Sequence, residues 1–253
     1  MTRQEAPVDA VFQTERYALS PDLDVAALRA QFDATGRLQV RDILDPLSAQ
    51  ALAAALDAEQ SWLRSVRLAS GSFSAPLAGH EPVEKIHARW IEEARIDPDD
   101  PAMQYMFDVR RLSAERAFGL ERGDGLNAFY DFVNGEEFLA FGAAVTGDAS
   151  VACEAQATRY RQGDLLTLHS DRDTATRRLS AWVFNLSREW RPEWGGLLLF
   201  HEGGRIVEGF NPLFNSLSLF RVPMDHSVTQ VTDFAPRDRL AISGWYLKAG
   251  SAD

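Results

Sequence analysis

The sequence predicts a mainly β protein with N-terminal helices, an α+β arrangement in which packed helices flank a double-stranded β-helix, or jelly roll. The first 150 residues contain helical apolar spacing and helix-capping residues, whereas from Val151 onward short apolar runs are separated by Gly, Pro, Asn and Asp. Eight such runs with hairpin-length connections are typical of a jelly roll or a related closed double sheet. We therefore expect a single domain over residues 1–253, with a helical entrance layer that includes some strands at 1–150 and the β core at 151–248.

The N-terminal layer is predicted to begin with two helices joined by a strand. After an irregular lead-in over residues 1–20, apolar residues at helical spacing predict a helix over Val25–Phe32, and Gly36 marks its end. Alternating apolar residues then indicate a short strand over Leu38–Ile43. Asp45-Pro46 is an N-cap followed by proline at the first helical position, which predicts an alanine-rich helix running to about Trp62.

The rest of this layer combines loops, a strand and a further helix. Residues Leu68 to Pro101 are rich in Ser, Gly, Pro and Asp and predict loops around a short helix at Val83–Ala94. Met103–Leu112 has the pattern of a strand. It is either an ordinary half-buried strand or one whose side chains form a wall on the substrate side. The side chains that could form this wall are Tyr105, Phe107, Arg110 and Arg111. Asn134 is predicted to cap a helix towards Val145 that ends at Gly147, with Glu137 placed as in a capping box.

The second part of the chain predicts the strands of the β core. Each candidate is a short apolar run bounded by turn residues, and Glu202-Gly203-Gly204 predicts a tight hairpin turn. The predicted strands are Ala155–Tyr160, Leu165–His169, Leu179–Leu186, Leu197–His201, Arg205–Glu208, Ser216–Val222, His226–Val231 and Leu240–Lys248.

Composition and charge narrow the classes of function. The net charge of −11 argues against a broad nucleic-acid footprint, although a local basic mouth stays open because several arginines surround one predicted strand: Arg159, Arg161, Arg172, Arg177 and Arg178. No apolar segment approaches the roughly 20 residues that span a bilayer, and the first twenty residues lack a secretory pattern. The single cysteine, Cys153, excludes an internal disulfide and a Cys-based zinc cluster. We therefore expect a cytoplasmic protein with neither nucleic-acid nor membrane partners and leave its oligomeric state open.

The stretch Thr167-Leu-His169-Ser-Asp171 contains the candidate metal ligands. Residues at i and i+2 on one strand point to the same face, so His169 and Asp171 can bind one ion together. A second strand carrying His226 would complete a face of two histidines and one carboxylate, which leaves the opposite positions of an octahedral ferrous ion free for substrate and dioxygen. This pattern favours an oxygenase over a structural metal site.

A buried arginine indicates a second component of the site. Arg239 enters the apolar run Arg239-Leu-Ala-Ile-Ser-Gly-Trp-Tyr246, and an unpaired charge inside a barrel costs several kcal/mol. A dicarboxylic cosubstrate would supply the missing anion, because a guanidinium group binds a terminal carboxylate through two hydrogen bonds.

Four segments together carry a resemblance to a known family. They are Tyr160-Arg-Gln-Gly-Asp-Leu-Leu-Thr-Leu-His169-Ser-Asp171; Leu179-Ser-Ala-Trp-Val-Phe-Asn-Leu-Ser-Arg-Glu-Trp190 with Trp194-Gly-Gly-Leu-Leu-Leu-Phe200; His226-Ser-Val; and the run from Arg239 to Tyr246. In this order they resemble the prolyl 4-hydroxylase-like branch of the 2-oxoglutarate and Fe(II)-dependent dioxygenases. An ordered set of segments over residues 155–247 is much more specific than any single motif.

The resemblance implies roles for individual residues. His169, Asp171 and His226 match the iron ligands and would be the catalytic residues, Arg239 matches the residue that binds the distal carboxylate of 2-oxoglutarate, and Tyr160 matches a tyrosine lining the cosubstrate pocket. Ser243 shares a strand face with Arg239 by alternation. Two positions depart from the family pattern: Ala241, where many relatives have serine or threonine, and Asn185, where some have an aromatic residue that helps to hold 2-oxoglutarate.

The activity implied by the resemblance is hydroxylation of an unactivated C–H bond, coupled to decarboxylation of 2-oxoglutarate to succinate and CO2. Its cofactors would be Fe(II), 2-oxoglutarate as cosubstrate and O2, with ascorbate as an optional reductant. The substrate would be a prolyl residue in a protein or a proline-like small molecule, an expectation that rests on family resemblance alone. Two other hypotheses use the same residues: a cupin-type zinc hydrolase or isomerase, which gives Arg239 no task, and a non-catalytic jelly-roll binding module, against which the intact ligand set argues.

Overall fold

The computed structural model describes residues 17–68, 70–77, 81–96, 103–172 and 177–249, so most of the predicted lead-in lies outside the described residues. It is mainly β with flanking helices, as the sequence predicts. The helices are α1 (Val25–Thr35), α2 (Pro46–Ala58), α3 (Val83–Ile96), α4 (Leu112–Phe118), α5 (Gly125–Val133) and α6 (Glu136–Thr146). The strands are β1 (Arg37–Arg41), β2 (Leu63–Leu68), β3 (Gly71–Pro76), β4 (Tyr105–Arg110), β5 (Ala152–Tyr160), β6 (Leu165–His169), β7 (Arg178–Asn185), β8 (Leu198–Glu202), β9 (Arg205–Phe210), β10 (Ser216–Arg221), β11 (His226–Val228) and β12 (Arg239–Leu247).

The first two helices begin and end where their capping residues predict. Gly36 adopts a left-handed conformation (φ 70°) after α1, and its N–H donates to the Phe32 carbonyl. The Asp45 carboxylate accepts from the N–H groups of Leu47 and Ser48 at the start of α2. The helix ends at Ala58, before the expected Trp62, whose indole N–H instead donates to the Glu59 carbonyl and is buried.

The prediction that Asn134 caps a helix is wrong. Asn134 ends the preceding helix, α5, and its side chain bonds to the Tyr130 carbonyl and to the backbone of Cys153 on β5. Gly135 stands at the N-cap of α6 without a side-chain hydrogen bond, and Glu137 accepts from the Leu19 N–H instead of closing a capping box. Asparagine is suited to either end of a helix, because its side-chain amide both donates and accepts hydrogen bonds.

Strand pairing corrects a second prediction, that loops occupy most of the segment from Leu68 to Pro101. β2 and β3 form an antiparallel hairpin, and β2 also pairs with β4, so the hairpin extends the sheet beside the entrance to the barrel. The exposed serines and glycine of β3 lack the β-branched residues by which strands are recognised in sequence. Helix α3 lies near its predicted position, and β4 is shorter at both ends than Met103–Leu112.

The strands form one antiparallel sheet that curves into a nearly closed jelly roll. Its hydrogen-bonded order is β1-β10-β7-β12-β5-β4-β6-β11-β8-β9, with β2 and β3 branching from β4. Arg37 on β1 forms ion pairs with Glu208 (2.6 Å) and Glu202 (3.0 Å) on the β8–β9 hairpin, which joins the two ends of this order. The turn Gly203-Gly204 has positive φ at both residues, as the hairpin prediction requires.

The two faces of the sheet have different partners. On β12, Leu240, Ile242 and Tyr246 face the helices, where they join a buried cluster with residues such as Phe32 and Phe138. The alternate residues of β12 face the barrel interior, beside a second buried cluster that includes Phe200 and Phe220. The interior of the roll is therefore walled off from the helical layer by the sheet itself. No described helix is long and apolar enough to cross a membrane.

Buried charges connect the N-terminal layer to the barrel. Arg64 on β2 binds Asp108 on β4 (2.9 Å) and Asp164 after β5 (2.8 Å), and all three side chains are buried. Arg110 on β4 binds Glu59 after α2 (2.6 Å) and Asp124 before α5 (2.7 Å). Because a buried charge is costly without a partner, the Arg64 pairs hold β2 against β4 and the β5–β6 turn, and the Arg110 pairs fix the position of the helices relative to the sheet.

Candidate active site

Two neighbouring strands bring His169, Asp171 and His226 together. His169 is the last residue of β6 and lies opposite His226, the first residue of β11. Asp171 lies beyond the end of β6 and adopts a left-handed conformation (φ 55°). The two side chains do lie together, but strand alternation, the expected reason for their position, is wrong. The carboxylate reaches the histidines because the chain turns there, and aspartate is among the residues that tolerate this conformation.

The three side chains form a group with the spacing of metal ligands. Asp171 Oδ1 lies 3.4 Å from His169 Nε2, Asp171 Oδ2 lies 3.6 Å from His226 Nε2, and the ligand atoms of the group all lie within 4.8 Å of one another. His169 Nδ1 donates to the Thr167 carbonyl (3.0 Å) and His226 Nδ1 to the Met224 carbonyl (2.8 Å). Because a carbonyl only accepts, each Nε2 is left with a free lone pair, the tautomer that a metal ligand needs.

Electrostatics favour the metal-binding forms of these groups. Burial would raise the pKa of Asp171, but its contacts with His169 and His226 and the hydrogen bond from Trp245 lower it to about 2. Burial and the neighbouring His169 lower the pKa of His226 to about 4. At neutral pH the group thus contains a carboxylate and an unprotonated imidazole, which can bind a cation without first releasing protons.

Trp245 holds the carboxylate from the opposite side, a contact that sequence reasoning missed. Its indole N–H donates to Asp171 Oδ2 at 2.9 Å, and the Arg178 guanidinium stacks on its ring, 3.7 Å from the ring centre. Trp245 lies two residues after Ser243 on β12, so the alternation that placed Ser243 on the inner face would have placed Trp245 there as well.

Arg239 is buried beside the metal-binding group without an anionic partner among the described residues. Its side chain is 3% exposed, its Nε has no hydrogen-bond partner, and its Nη2 makes one long contact (3.4 Å) with the Asn185 amide oxygen. The guanidinium lies over the Tyr160 ring, 5.1 Å from its centre. Burial lowers the pKa of Arg239. Such a group needs an anion, as the sequence predicts.

A pair of glycines makes room for this arginine. Gly195 and Gly196 follow Trp194 with positive φ (72° and 65°), and a Cβ on Gly196 would lie 2.7 Å from Cδ of Arg239. A Cβ on Gly195 would overlap the Gln230 carbonyl. Gly196 is therefore required by the approach of the backbone to Arg239, and Gly195 by its approach to the Gln230 carbonyl.

A small cavity of about 80 Å³, which we call the inner cavity, joins these residues. It is lined by the metal-binding group and Arg239, and Tyr160 and Ser243 also line it. Asn185 does not line it and instead contacts Arg239, while its amide nitrogen donates to Ser216 and Ser218. Lining residues without a sequence prediction include Gln156 and Thr158, which share the face of Tyr160 by alternation along β5.

A second, wider cavity of about 610 Å³ adjoins the first and is open to solvent; we call it the outer cavity. Both cavities are lined by His169 and Asp171. Tyr105, Phe107 and Arg111 also line the outer cavity, which places them at the wall considered for β4, whereas Arg110 is buried among acids on the other face.

Four of the five arginines predicted around the metal strand fall into two groups, and the fifth, Arg177, is exposed and lines neither cavity. Arg159 and Arg161 are held by the buried carboxylate of Asp108, at 2.8 Å and 3.3 Å. Arg172 and Arg178 line the outer cavity. A local positively charged entrance on this acidic chain therefore depends on Arg172 and Arg178.

The interior of this jelly roll presents two histidines and a carboxylate beside a small cavity, which is the donor set of mononuclear non-haem iron oxygenases. Residues 155–247 match the model of the 2OG-Fe(II) oxygenase superfamily, which confirms the resemblance seen in the motifs. The match supports an oxygenase, and the matched family implies Fe(II), 2-oxoglutarate and O2 as cofactors. No curated protein matches the chain significantly by sequence.

Solved structures share the fold at low sequence identity. A Pseudomonas putida prolyl-4-hydroxylase matches with a TM-score of 0.57 and 18% identity, over 89% of this chain and 99% of its own. A 2OG-Fe(II) oxygenase family oxidoreductase from Burkholderia pseudomallei matches with a TM-score of 0.60 and 14% identity, over 91% and 93%. A Trichoplax adhaerens prolyl hydroxylase in complex with a hypoxia inducible factor peptide fragment matches with a TM-score of 0.59 and 15% identity, over 88% of this chain and 89% of its own. These likenesses confirm the jelly-roll fold.

Proposed function

We propose that the protein is a dioxygenase that uses Fe(II) and 2-oxoglutarate to hydroxylate an unactivated C–H bond, coupled to decarboxylation of the cosubstrate to succinate and CO2. The observation that carries the proposal is the buried Arg239, which has no anionic partner among the described residues and lines the same inner cavity as the group of His169, Asp171 and His226. A metal site alone gives no reason to bury a guanidinium. A ligand with a carboxylate for Arg239 and donor atoms for a metal explains both features together.

The donor set fits ferrous iron. His169 and His226 would each provide an Nε2 lone pair and Asp171 a carboxylate oxygen, which leaves further coordination positions open. When bound, iron with 2-oxoglutarate and O2 would supply the oxidant for C–H hydroxylation, with one oxygen atom of O2 going to succinate and the other to the substrate. The hydrogen bonds from the two histidines to backbone carbonyls would hold the imidazole rings in place during turnover.

The chain's own groups would orient the cosubstrate in the inner cavity. Arg239 would bind the distal carboxylate, Asn185 would hold the guanidinium by its amide oxygen, and the Tyr160 ring would pack beneath it. Ser243 lines the same cavity, where its hydroxyl accepts from the Gln156 amide at 3.4 Å. The departure of Asn185 from the aromatic residue of some relatives is then a change of task, from holding the ligand to holding Arg239.

We infer that the substrate is a prolyl residue of a protein or a proline-like small molecule, as the prolyl hydroxylases among the similar folds suggest. The solvent-open outer cavity, bounded by Tyr105, Phe107 and Trp245, would receive it beside the metal-binding group. Ascorbate as a reductant and a cytoplasmic location belong to the same proposal.

The test is an anaerobic titration of metal-free protein with Fe(II) and then 2-oxoglutarate, followed by the weak visible band that forms when a keto acid chelates ferrous iron. We expect the band in wild type, no band in His169→Ala, and a much higher half-saturating 2-oxoglutarate concentration in Arg239→Met. Arg237→Gln is the matched control, because Arg237 is two residues earlier in the chain but lies outside the inner cavity and pairs with Glu189.

Arg239→Met also tests folding. Replacing an unpaired buried charge with an apolar side chain of similar length is expected to keep or raise the apo-protein Tm, so a lost band cannot be attributed to unfolding. Absence of the band in wild type, with zinc retained against excess Fe(II), would overturn the proposal in favour of a zinc enzyme.

A further inference from the structure

The outer cavity has a charge opposite to that of the chain as a whole. The chain has a net charge of −11, yet four arginines line this cavity: Arg67, Arg111, Arg172 and Arg178. Among its described lining residues the single acid is Asp171, which belongs to the metal-binding group. The other charged side chains of the described lining are all arginines, so a ligand entering the cavity meets a positively charged wall.

The partners of these arginines differ. Arg178 is satisfied, because it pairs with Glu154 (3.0 Å) and stacks on Trp245. Arg111 is half-buried, and its Nη2 is bound only by the hydroxyls of Ser65 (3.3 Å) and Ser74 (3.0 Å), with no carboxylate within ion-pair distance in the described part of the chain. A partly desolvated guanidinium bound only by neutral groups has free capacity for a charge-assisted hydrogen bond to an anion.

Strand register brings the other cations to the same wall. Arg67 on β2 lies opposite Tyr105 on β4, and Ser65 lies opposite Phe107, so both β2 residues share a face with the aromatic wall. Arg111 follows the end of β4, where it continues that face past Gln156. Arg172 comes directly after the metal-binding carboxylate and is exposed. Ordinary surface arginines have no reason to converge from three separate segments on one cavity beside the metal-binding group.

We propose that the substrate carries a carboxylate, and that Arg111, assisted by Arg67 and Arg172, binds it in the outer cavity and so places the neighbouring C–H bond at the metal-binding group. The proposal rests on the proposed dioxygenase function and names its substrate class. The carboxylate can belong to an acidic side chain of a peptide or to a free amino or imino acid. Arg111 acts in substrate specificity, separately from Arg239, which lines the inner cavity.

The experiment measures binding by calorimetry, under anaerobic conditions, to protein already loaded with Fe(II) and 2-oxoglutarate. Two matched pairs serve as probes: N-acetylproline against N-acetylprolinamide, and a blocked Gly-Glu-Pro-Glu-Gly peptide against its Gln-for-Glu counterpart. We expect the acidic member of at least one pair to bind about tenfold more tightly, the effect of one charged hydrogen bond. Higher ionic strength should reduce the preference, because the cavity is open to solvent.

Variants test whether the preference for the acidic probe arises in the outer cavity. Arg111→Gln should remove most of it while the side-chain amide can still bond to the serines, and the visible band of the loaded protein should stay as in wild type. Arg205→Gln, on the β8–β9 hairpin and outside both cavities, should keep the full preference. A preference confined to the peptide pair identifies an acidic peptide, and one confined to N-acetylproline identifies a small imino acid.

Two outcomes overturn the inference. One is an absence of any preference for the acidic member in both pairs, including the case in which no probe binds. The other is a preference that Arg111→Gln leaves unchanged. In either case a normal visible band with 2-oxoglutarate shows that the dioxygenase proposal stands on its own, whereas a missing band in wild type identifies the failure of that earlier proposal.

Discussion

Asp171 shows how a single residue links backbone conformation to the metal-binding group. Its left-handed conformation (φ 55°) lets its carboxylate reach both histidines, and its Oδ2 is fixed by the indole N–H of Trp245 at 2.9 Å. Trp245 is in turn held against Arg178, which pairs with Glu154. A carboxylate on a short turn would otherwise be free to rotate, so these contacts prepare it to bind a metal.

Removing the hydrogen bond from Trp245 to Asp171 should weaken metal binding without removing a metal ligand. We expect Trp245→Phe to lower Fe(II) affinity by about 10- to 100-fold, the usual effect of losing a hydrogen bond to a metal ligand. Anaerobic calorimetry with Fe(II) measures the affinity directly. Trp194→Phe is the control, because Trp194 packs against Trp190 and does not contact Asp171. Equal Fe(II) affinities in wild type and Trp245→Phe would show that Asp171 is positioned by its backbone alone.

Residue types and spacing predicted this group only in part. The sequence identified the three candidate ligands and Arg239 because buried charges and paired histidines are chemically conspicuous. Strand alternation gave a wrong reason for the position of Asp171, since β6 ends at His169, as the sequence also predicts, and alternation does not hold beyond the end of a strand. The partners of Arg239 and Asp171 come from β7 and β12, far along the chain, and only the fold brings them together.

At the scale of elements, helix α6 packs on β12 through a glycine. Tyr246 lies across Gly142, its ring stacks on Phe138 with centres 5.1 Å apart, and its hydroxyl donates to the Phe138 carbonyl at 3.2 Å. A Cβ at position 142 would overlap the tyrosine ring. Glycine in a helix interior is usually unfavourable, so its presence here reflects the close approach of helix and sheet.

We therefore expect Gly142→Ala to destabilise the protein by about 1–3 kcal/mol, because overpacking outweighs the gain in helix propensity. Urea unfolding at neutral pH measures the free energy of unfolding. Ala144→Gly, at an exposed position of the same helix, reports propensity alone and should cost about 1 kcal/mol. The double variant with Tyr246→Leu should recover part of the loss, since it removes the ring. A more stable Gly142→Ala protein would refute this account.

Local patterns predicted elements well where capping and periodicity agree. Helix α2 follows from Asp45-Pro46, and the eight strands β5 to β12 correspond to the eight predicted runs, with shifted ends. Helices α4 and α5 escaped prediction, although Asp124 caps α5. The hairpin β2–β3 escaped it because its stability comes from pairing with β4, a long-range contact absent from any local window.

At the scale of the whole molecule, we propose that the helical layer and the barrel form one domain. Phe32 on α1, Leu52 on α2 and Phe138 on α6 belong to the same buried cluster as Trp182 and Tyr246 of the barrel. The charged contacts of Arg110 add to this interface, since its guanidinium joins β4 to the ends of α2 and the starts of α4 and α5. Neither layer could unfold without exposing the core of the other.

The interface between the helical layer and the barrel should lose stability in acid, because Glu59 pairs with Arg110 there. Burial would raise the pKa of Glu59, but hydrogen bonds from Ser61 and from Arg110 lower it from 4.5 to about 2. A carboxyl group with a lowered pKa stabilises the folded state above its ordinary pKa, and this stabilisation is lost as the pH falls from 4.5 towards 2. The shift corresponds to about 3 kcal/mol for this one group.

Urea unfolding of wild type between pH 7 and 3, followed by circular dichroism and by tryptophan fluorescence, is expected to show one transition at each pH, since helices and barrel share a core. Glu59→Gln should be less stable at pH 7 and should lose less stability on acidification below pH 4.5, because the amide cannot titrate. Glu92→Gln, exposed on α3, should behave as wild type. Parallel losses in wild type and Glu59→Gln would remove Glu59 from the acid response, and separate transitions by the two probes would mean that the layers are two domains.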